Sequence, residues 1–150
     1  MDSTAPASAP ASAPASTSNR LDLALAVLRI VVGIVFLAHG AQKLFDWGLG
    51  GTAAAFADMG APLASITGPL VAFVEFIAGT ALILGLFTRI AAVGVGIVML
   101  GAISIVHLPN GFFLPMGMEF ALTLLAAATA LVLAGPGAYS VDAKRGGLIR

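Results

Sequence analysis

Residues 22–45 read DLALAVLRIVVGIVFLAHGAQKLF, a run in which only Asp22, Arg29, His39 and Lys43 are ionisable. About 20 apolar residues carry a helix across a bilayer, so this stretch is long enough to span one. Phe45 and Trp47 at its end are rings of the kind that settle at the bilayer surface. Three more apolar stretches follow, at about 67–87, 90–107 and 116–134. The chain therefore reads as all-α: an integral membrane four-helix transmembrane bundle.

Composition agrees. Of the 150 residues 59% are apolar and 9% charged, against roughly 25% charged in soluble domains. Seven basic and seven acidic side chains give no net field, which removes the electrostatic case for nucleic acid as a partner. There are no cysteines, so disulfides, thiol relays, iron–sulfur clusters and cysteine-bound zinc are excluded from this chain.

Around the spans, residues 5–16 repeat Ala-Pro-Ala-Ser three times. That composition predicts a disordered arm over residues 1–20. Without Lys or Arg before Arg20 and with a long apolar run after it, the arm does not read as a signal peptide and is expected to be retained. Asn19 or Asp22 is placed to accept the free amides of the first span. Residues 48–66 are too glycine-rich to cross, but Thr52 to Met59 predicts a short interfacial helix, capped by Thr52, over the outer mouth of the bundle. Thr88-Arg89 reads as a tight turn that makes spans two and three a hairpin. Leu108 to Pro115 reads as a loop carrying the interfacial pair Phe112-Phe113, and Gly135-Pro136-Gly137 as a helix stop. The transmembrane domain is thus 21–140 and the polar tail 141–150. Arg20, Arg89, Lys144, Arg145 and Arg150 flank one face, which predicts both termini in the cytoplasm.

Hydropathy alone would forbid Arg29, His39, Lys43, Glu75, His107 and Glu119 in the spans. At 1.5 Å per residue Glu75 lies about 12 Å, and Glu119 about 5 Å, from the outer ends of their predicted helices. His39, Lys43 and His107 fall in the same layer, and together the five predict one polar chamber. Periodicity points them inward. Arg29, Gly33, Phe36, Gly40 and Lys43 share a stripe, as do Gly68, Ala72, Glu75 and Gly79; Gly101, Ser104 and either His107 or Leu108; and Glu119, Thr123, Ala126 and Ala130. Simpler readings stand beside this one. Arg29 could reach the headgroups instead of pairing with Glu75, Lys43 could snorkel outward, His107 could sit in water, and His39 could merely satisfy a carbonyl. Glu75 is too deep to snorkel and needs a cation, a proton or a ligand.

The stretch Arg29-x-x-x-Gly33-x-x-Phe36-x-x-His39-Gly40-x-x-Lys43-Leu44-Phe45 resembles the opening signature of the DoxX family of small bacterial membrane proteins. Glu75-Phe76-Ile77-Ala78-Gly79 with Leu84-Gly85-Leu86-Phe87-Thr88-Arg89 is similar to its second helix and turn. His107, Asn110-Gly111-Phe112-Phe113 and Glu119 resemble its outer loop and last helix, and Gly135-Pro136-Gly137-Ala138-Tyr139-Ser140-Val141-Asp142 its closing motif. The resemblance covers residues 22–142. It implies a multi-pass protein of the bacterial plasma membrane. The family's name is shared with a subunit of a thiosulfate:quinone oxidoreductase, and other relatives are linked to quinone or thiol stress alongside soluble redox enzymes. Thiol chemistry cannot carry over to a chain without cysteine.

The leading expectation is a membrane subunit that interacts with a quinone. His39 and Lys43 would donate to a ring carbonyl, Glu75 and Glu119 would pass protons, and Phe36, Arg29 and His107 would complete the binding site. Electrons would come from a redox partner protein, since the sequence carries no flavin, haem c or iron–sulfur motif. The alternative is a non-enzymatic anchor or assembly subunit whose polar chamber fixes helix register. A solute or proton pathway is disfavoured by the lack of a broken helix pair or inverted repeat. His39 and His107 could be axial haem ligands, and with Glu75 and Glu119 a metal set, but ligand types alone are a weak signal and haem or metal is disfavoured. The bilayer is the one partner the sequence requires; a homo-oligomer stays open.

Overall fold

The computed structural model describes residues 15–146. The disorder expected for residues 1–14, and Arg150 of the tail, lie outside the described residues. Among those described there is no strand. Helix α1 spans Ala15–Ala41 and runs through a π-helical turn, Gln42–Asp46. The short α2 is Gly48–Asp58, α3 is Ala64–Leu84 and α4 is Thr88–Ala102. A second π-helical turn, Ile103–His107, and a 3-10 turn, Leu108–Asn110, end the α4 rod. Then come α5, Glu119–Ala134, and α6, Val141–Lys144.

Three of these rods are long and apolar enough to cross a membrane: Ser18–Asp46, Ala64–Leu84 and Thr88–Asn110. Apolar α5 is shorter, its 16 residues giving about 24 Å. It packs along α4, and α4 packs on α3, which is seated on α1 and α2. The outer surface is a belt of exposed Val31, Ile34, Leu70, Ile77, Ile90, Ile97 and Leu133, a face that water would not tolerate and lipid does. The inner core is small, built from Val32, Phe36, Leu82, Val95 and Leu131 with alanines between them.

The α1–α3 contact is set by glycine. A Cβ on Gly33 would stand 2.7 Å from the Gly79 carbonyl oxygen, and one on Gly40 would strike the backbone of Phe76. Only hydrogen lets these two helices approach so closely. Both predicted small-residue stripes on α1 and α3 are buried. On the other two helices the predicted stripes are corrected. Ser104 is exposed, and α4 faces the core with Ala91, Ala92, Val95 and Met99. Gly101 and Ser104 instead continue the lipid-facing line of Ile90, Val93 and Ile97. Thr123, Ala126 and Ala130 are also exposed, and α5 buries Ala121, Ala128 and Leu131. This helix is apolar all round, and the larger Leu131 fills the core better.

Several boundaries differ from expectation. The hairpin turn falls at 85–87, with Gly85 and Phe87 both in the left-handed region, and Thr88 already begins α4. Helix α3 starts at Ala64, three residues earlier than expected, and α5 at Glu119, three later. Helix α1 includes residues 15–20, so neither Asn19 nor Asp22 caps it; Asp22 Oδ1 instead accepts the Ala138 N–H at 2.9 Å. Thr52 does not cap the short helix, which starts at Gly48.

Candidate functional site

Lys43 follows the first residue of the π turn that ends α1. There the Trp47 N–H donates to the Gln42 carbonyl at 3.0 Å, not to Lys43 as an α-helical register would require. The Lys43 carbonyl accepts from Thr52 Oγ1 at 2.8 Å, and Thr52 is fully buried in α2. Lys43 continues the buried stripe of Arg29, Gly33, Phe36 and Gly40 into the bundle, where it is 8% exposed and does not snorkel. Its Nζ meets Glu75 Oε2 at 2.7 Å. Glu75 is 4% exposed and lies eleven residues into α3, about 16 Å along a rod that is about 31 Å long. The pair therefore joins the middle of α3 to the last turn of the Ser18–Asp46 rod. Trp47 stands over the lysine, its ring centroid 6.0 Å from Nζ.

Beside the pair lies a cavity of about 600 Å³. Phe36, His39 and Lys43 line it from α1, Glu75 from α3, His107 from the second π turn, and Phe56 from α2. Most of the remaining wall is aliphatic. Each π turn thus carries an ionisable group of the chamber. His39 Nδ1 lies 2.9 Å from the Val35 carbonyl and His107 Nδ1 lies 2.9 Å from the Met116 carbonyl. A carbonyl only accepts, so in both rings Nδ1 carries a proton and donates it.

Two predicted site residues are not brought to the chamber. Arg29 lies at the opposite end of the bundle, its Nη1 donating to the Leu82 and Ile83 carbonyls at 2.9 and 2.6 Å and its Nη2 to the Tyr139 carbonyl. It neither pairs with Glu75 nor reaches outward; it satisfies the carbonyls that α3 leaves free at its C-terminus. Glu119 sits at the first turn of α5 and accepts the Leu114 N–H at 2.8 Å through Oε1, closing the 111–118 loop. The late start of α5 places its carboxylate in that loop.

Around Arg29 the closing motif forms a clasp. Asp142 accepts the Phe87 N–H at 2.8 Å and the Thr88 N–H at 2.9 Å, capping α4 from a distant part of the chain, while its own N–H donates to the Gly85 carbonyl at 2.9 Å. Ser140 caps α6 by accepting from the Ala143 N–H. Sequence reasoning missed Thr52 as the group that holds Lys43, Trp47 as part of the chamber, and Asp142 as a cap. For Asp142 the signal was the motif itself, a lone carboxylate after Gly-Pro-Gly. Among the described residues there is no cluster of three or more His, Asp or Glu able to hold a metal.

Four apolar helices around one buried ion pair and a polar-floored cavity define a small multi-pass integral membrane protein. A family model of DoxX matches residues 24–108. The chain belongs to the DoxX family. An uncharacterized membrane protein of Mycobacterium tuberculosis is 38% identical over 127 residues, covering 77% of each chain. CatD of Bacillus subtilis, named as a candidate oxidoreductase, is 34% identical over 122 residues, 81% of this chain and 86% of that one. A protein of Haemophilus influenzae is 34% identical over 124 residues, 80% and 89% of the two chains. No solved structure matches.

Proposed function

We propose that this protein is a quinone-interacting membrane subunit that works with a partner electron donor. The observation that carries the reading is the mostly aliphatic cavity of about 600 Å³ whose polar floor is the Lys43–Glu75 pair. Its size falls within the roughly 300–1,000 Å³ of small-molecule sites. Its wall suits a ring and an apolar tail, and its floor offers an N–H donor for a ring carbonyl, so the residues fit the group. A relative named as a candidate oxidoreductase supports the redox assignment.

A bound quinone would supply the capacity to take up two electrons and two protons. The chain's own part is to bind, orient and move protons. Lys43 Nζ, fixed by Glu75 and by the Thr52 bond to its backbone, offers its remaining hydrogens to a carbonyl. Phe36, 2% exposed, gives one flat apolar wall. His39 and His107 can each take up a proton at Nε2 and release it toward the cavity they line. Glu75 balances the lysine, so the site stays neutral when empty. The electrons come from a partner redox protein. Arg20, Arg89, Lys144 and Arg145 lie at the end opposite the chamber, which favours a cytoplasmic location for that end and an outward-facing chamber in a bacterial plasma membrane.

One observation favours a second reading. Lys43 and Glu75 satisfy each other, as they would if their role were to fix helix register in an anchor or assembly subunit. Quinone titration of the purified protein in nanodiscs separates the two. Saturable binding, weakened in His39→Ala and Lys43→Met forms of matched folding, supports the quinone subunit; absence of saturable binding in the native chain overturns it.

A further inference from the structure

The cavity does not end inside the bundle. Leu70 of α3 and Ile97 of α4 both line it, yet they are 58% and 64% exposed on the lipid-facing surface. The seam between these helices is closed at one level and open at another. A Cβ on Gly94 would stand 3.5 Å from Val74, ordinary contact, whereas one on Gly101, two turns closer to the Lys43 end, would meet nothing within 4 Å. The α3–α4 hairpin is thus closed as far as Val74, the neighbour of Glu75, and splayed from there to the end of the bundle that α2 covers. The route along the bundle axis is partly covered, with the exposed Met59 and Pro62 on the cavity wall there. Helix α2 covers that end, held by the Thr52–Lys43 bond and packed so closely that a Cβ on Gly68 would stand 3.2 Å from the Thr52 carbonyl oxygen.

We infer that the α3–α4 cleft is a lateral portal, and that the ligand is a long-tailed quinone that enters from the bilayer, ring first, and leaves its tail lying between Leu70 and Ile97. This rests on the quinone reading and adds the ligand's class and route. Glu75 lies within the apolar span Ala64–Leu84, beside the lipid phase where such a molecule dissolves. Only the floor of the path is polar, and the glycine at 101 leaves the width that a flexible tail needs.

Trp47, the only tryptophan of the chain, lines the cavity and reports its occupancy through fluorescence quenching. The native protein in nanodiscs is titrated with a tail-less benzoquinone and with an isoprenoid-tailed one, and so are Gly101→Leu and, as a second block on the same path, Ile97→Trp read by competition. The prediction is that both blocks weaken the tailed quinone about tenfold or more while the tail-less ring changes less than about twofold. Equal loss of both ligands, or no loss of either, overturns the portal while leaving the quinone site standing. Absence of saturable quenching by either ligand in the native protein overturns the quinone reading and the portal with it.

Discussion

Lys43 Nζ and Glu75 Oε2 meet at 2.7 Å across 32 residues of sequence, with side chains 10% and 5% exposed. Breaking one side of such a pair strands a charge in a low-dielectric interior, at a cost of about 3–5 kcal/mol, whereas replacing both sides by apolar groups is often neutral. Lys43→Met alone should therefore lower stability by about that amount. Lys43→Met with Glu75→Leu should recover it and still lack bound quinone. Thermal unfolding and quinone content in one detergent check both halves. A stable double variant with native quinone content would make the pair purely structural.

Close packing of α1 on α3 gives the second prediction. Gly40→Leu and Gly79→Leu place a side chain into backbone, and should cost about 3 kcal/mol or more or prevent folding. Gly101→Ala meets open space, and should be neutral or stabilising by up to about 1 kcal/mol from helix propensity. Fluorescence-detected thermal unfolding of the three variants orders them directly.

The clasp supplies a third. Asp142→Ala removes the acceptor for the Phe87 and Thr88 amides, and should cost about 1–2 kcal/mol. Amide exchange at residues 87 and 88 should quicken well beyond that of mid-α4. Asp142→Asn keeps one oxygen acceptor and should fall between.

Arg29 and Glu119 should separate from the chamber. Arg29→Met loses the bonds to the Leu82 and Ile83 carbonyls and should destabilise by about 2–3 kcal/mol. Glu119→Ala frees the Leu114 N–H and should loosen only the 111–118 loop. In the folded fraction of either variant, quinone per chain should equal that of the native protein. A selective loss of quinone in Arg29→Met would contradict its placement at the far end.

The four-helix reading was legible because apolar length is a one-dimensional property, and a bilayer allows few other folds. The stripes on α1 and α3 were legible for a related reason. Gly33, Gly40 and Gly79 mark a face that only glycine permits, and Arg29, Lys43 and Glu75 ride with them. The faces of α4 and α5 were not. Helix α5 is apolar on every side, and glycine and alanine are spread around α4, so small size does not mark its core face. The π turn at 42–46 is equally silent in the sequence, and with it the bond by which Thr52 serves the Lys43 carbonyl instead of capping α2. Depth grouped Glu119 with the pair, and the shared stripe grouped Arg29 with it; packing assigns each to a helix end.

The central claim is that the Lys43–Glu75 chamber holds a quinone, and the quinone content of protein purified in mild detergent tests it most directly. Native protein and Glu75→Gln, matched for folding, are extracted and their quinone is quantified per chain. The account predicts close to one per chain in the native protein and the lipid background in Glu75→Gln. Background levels in both, or equal retention in both, would contradict it.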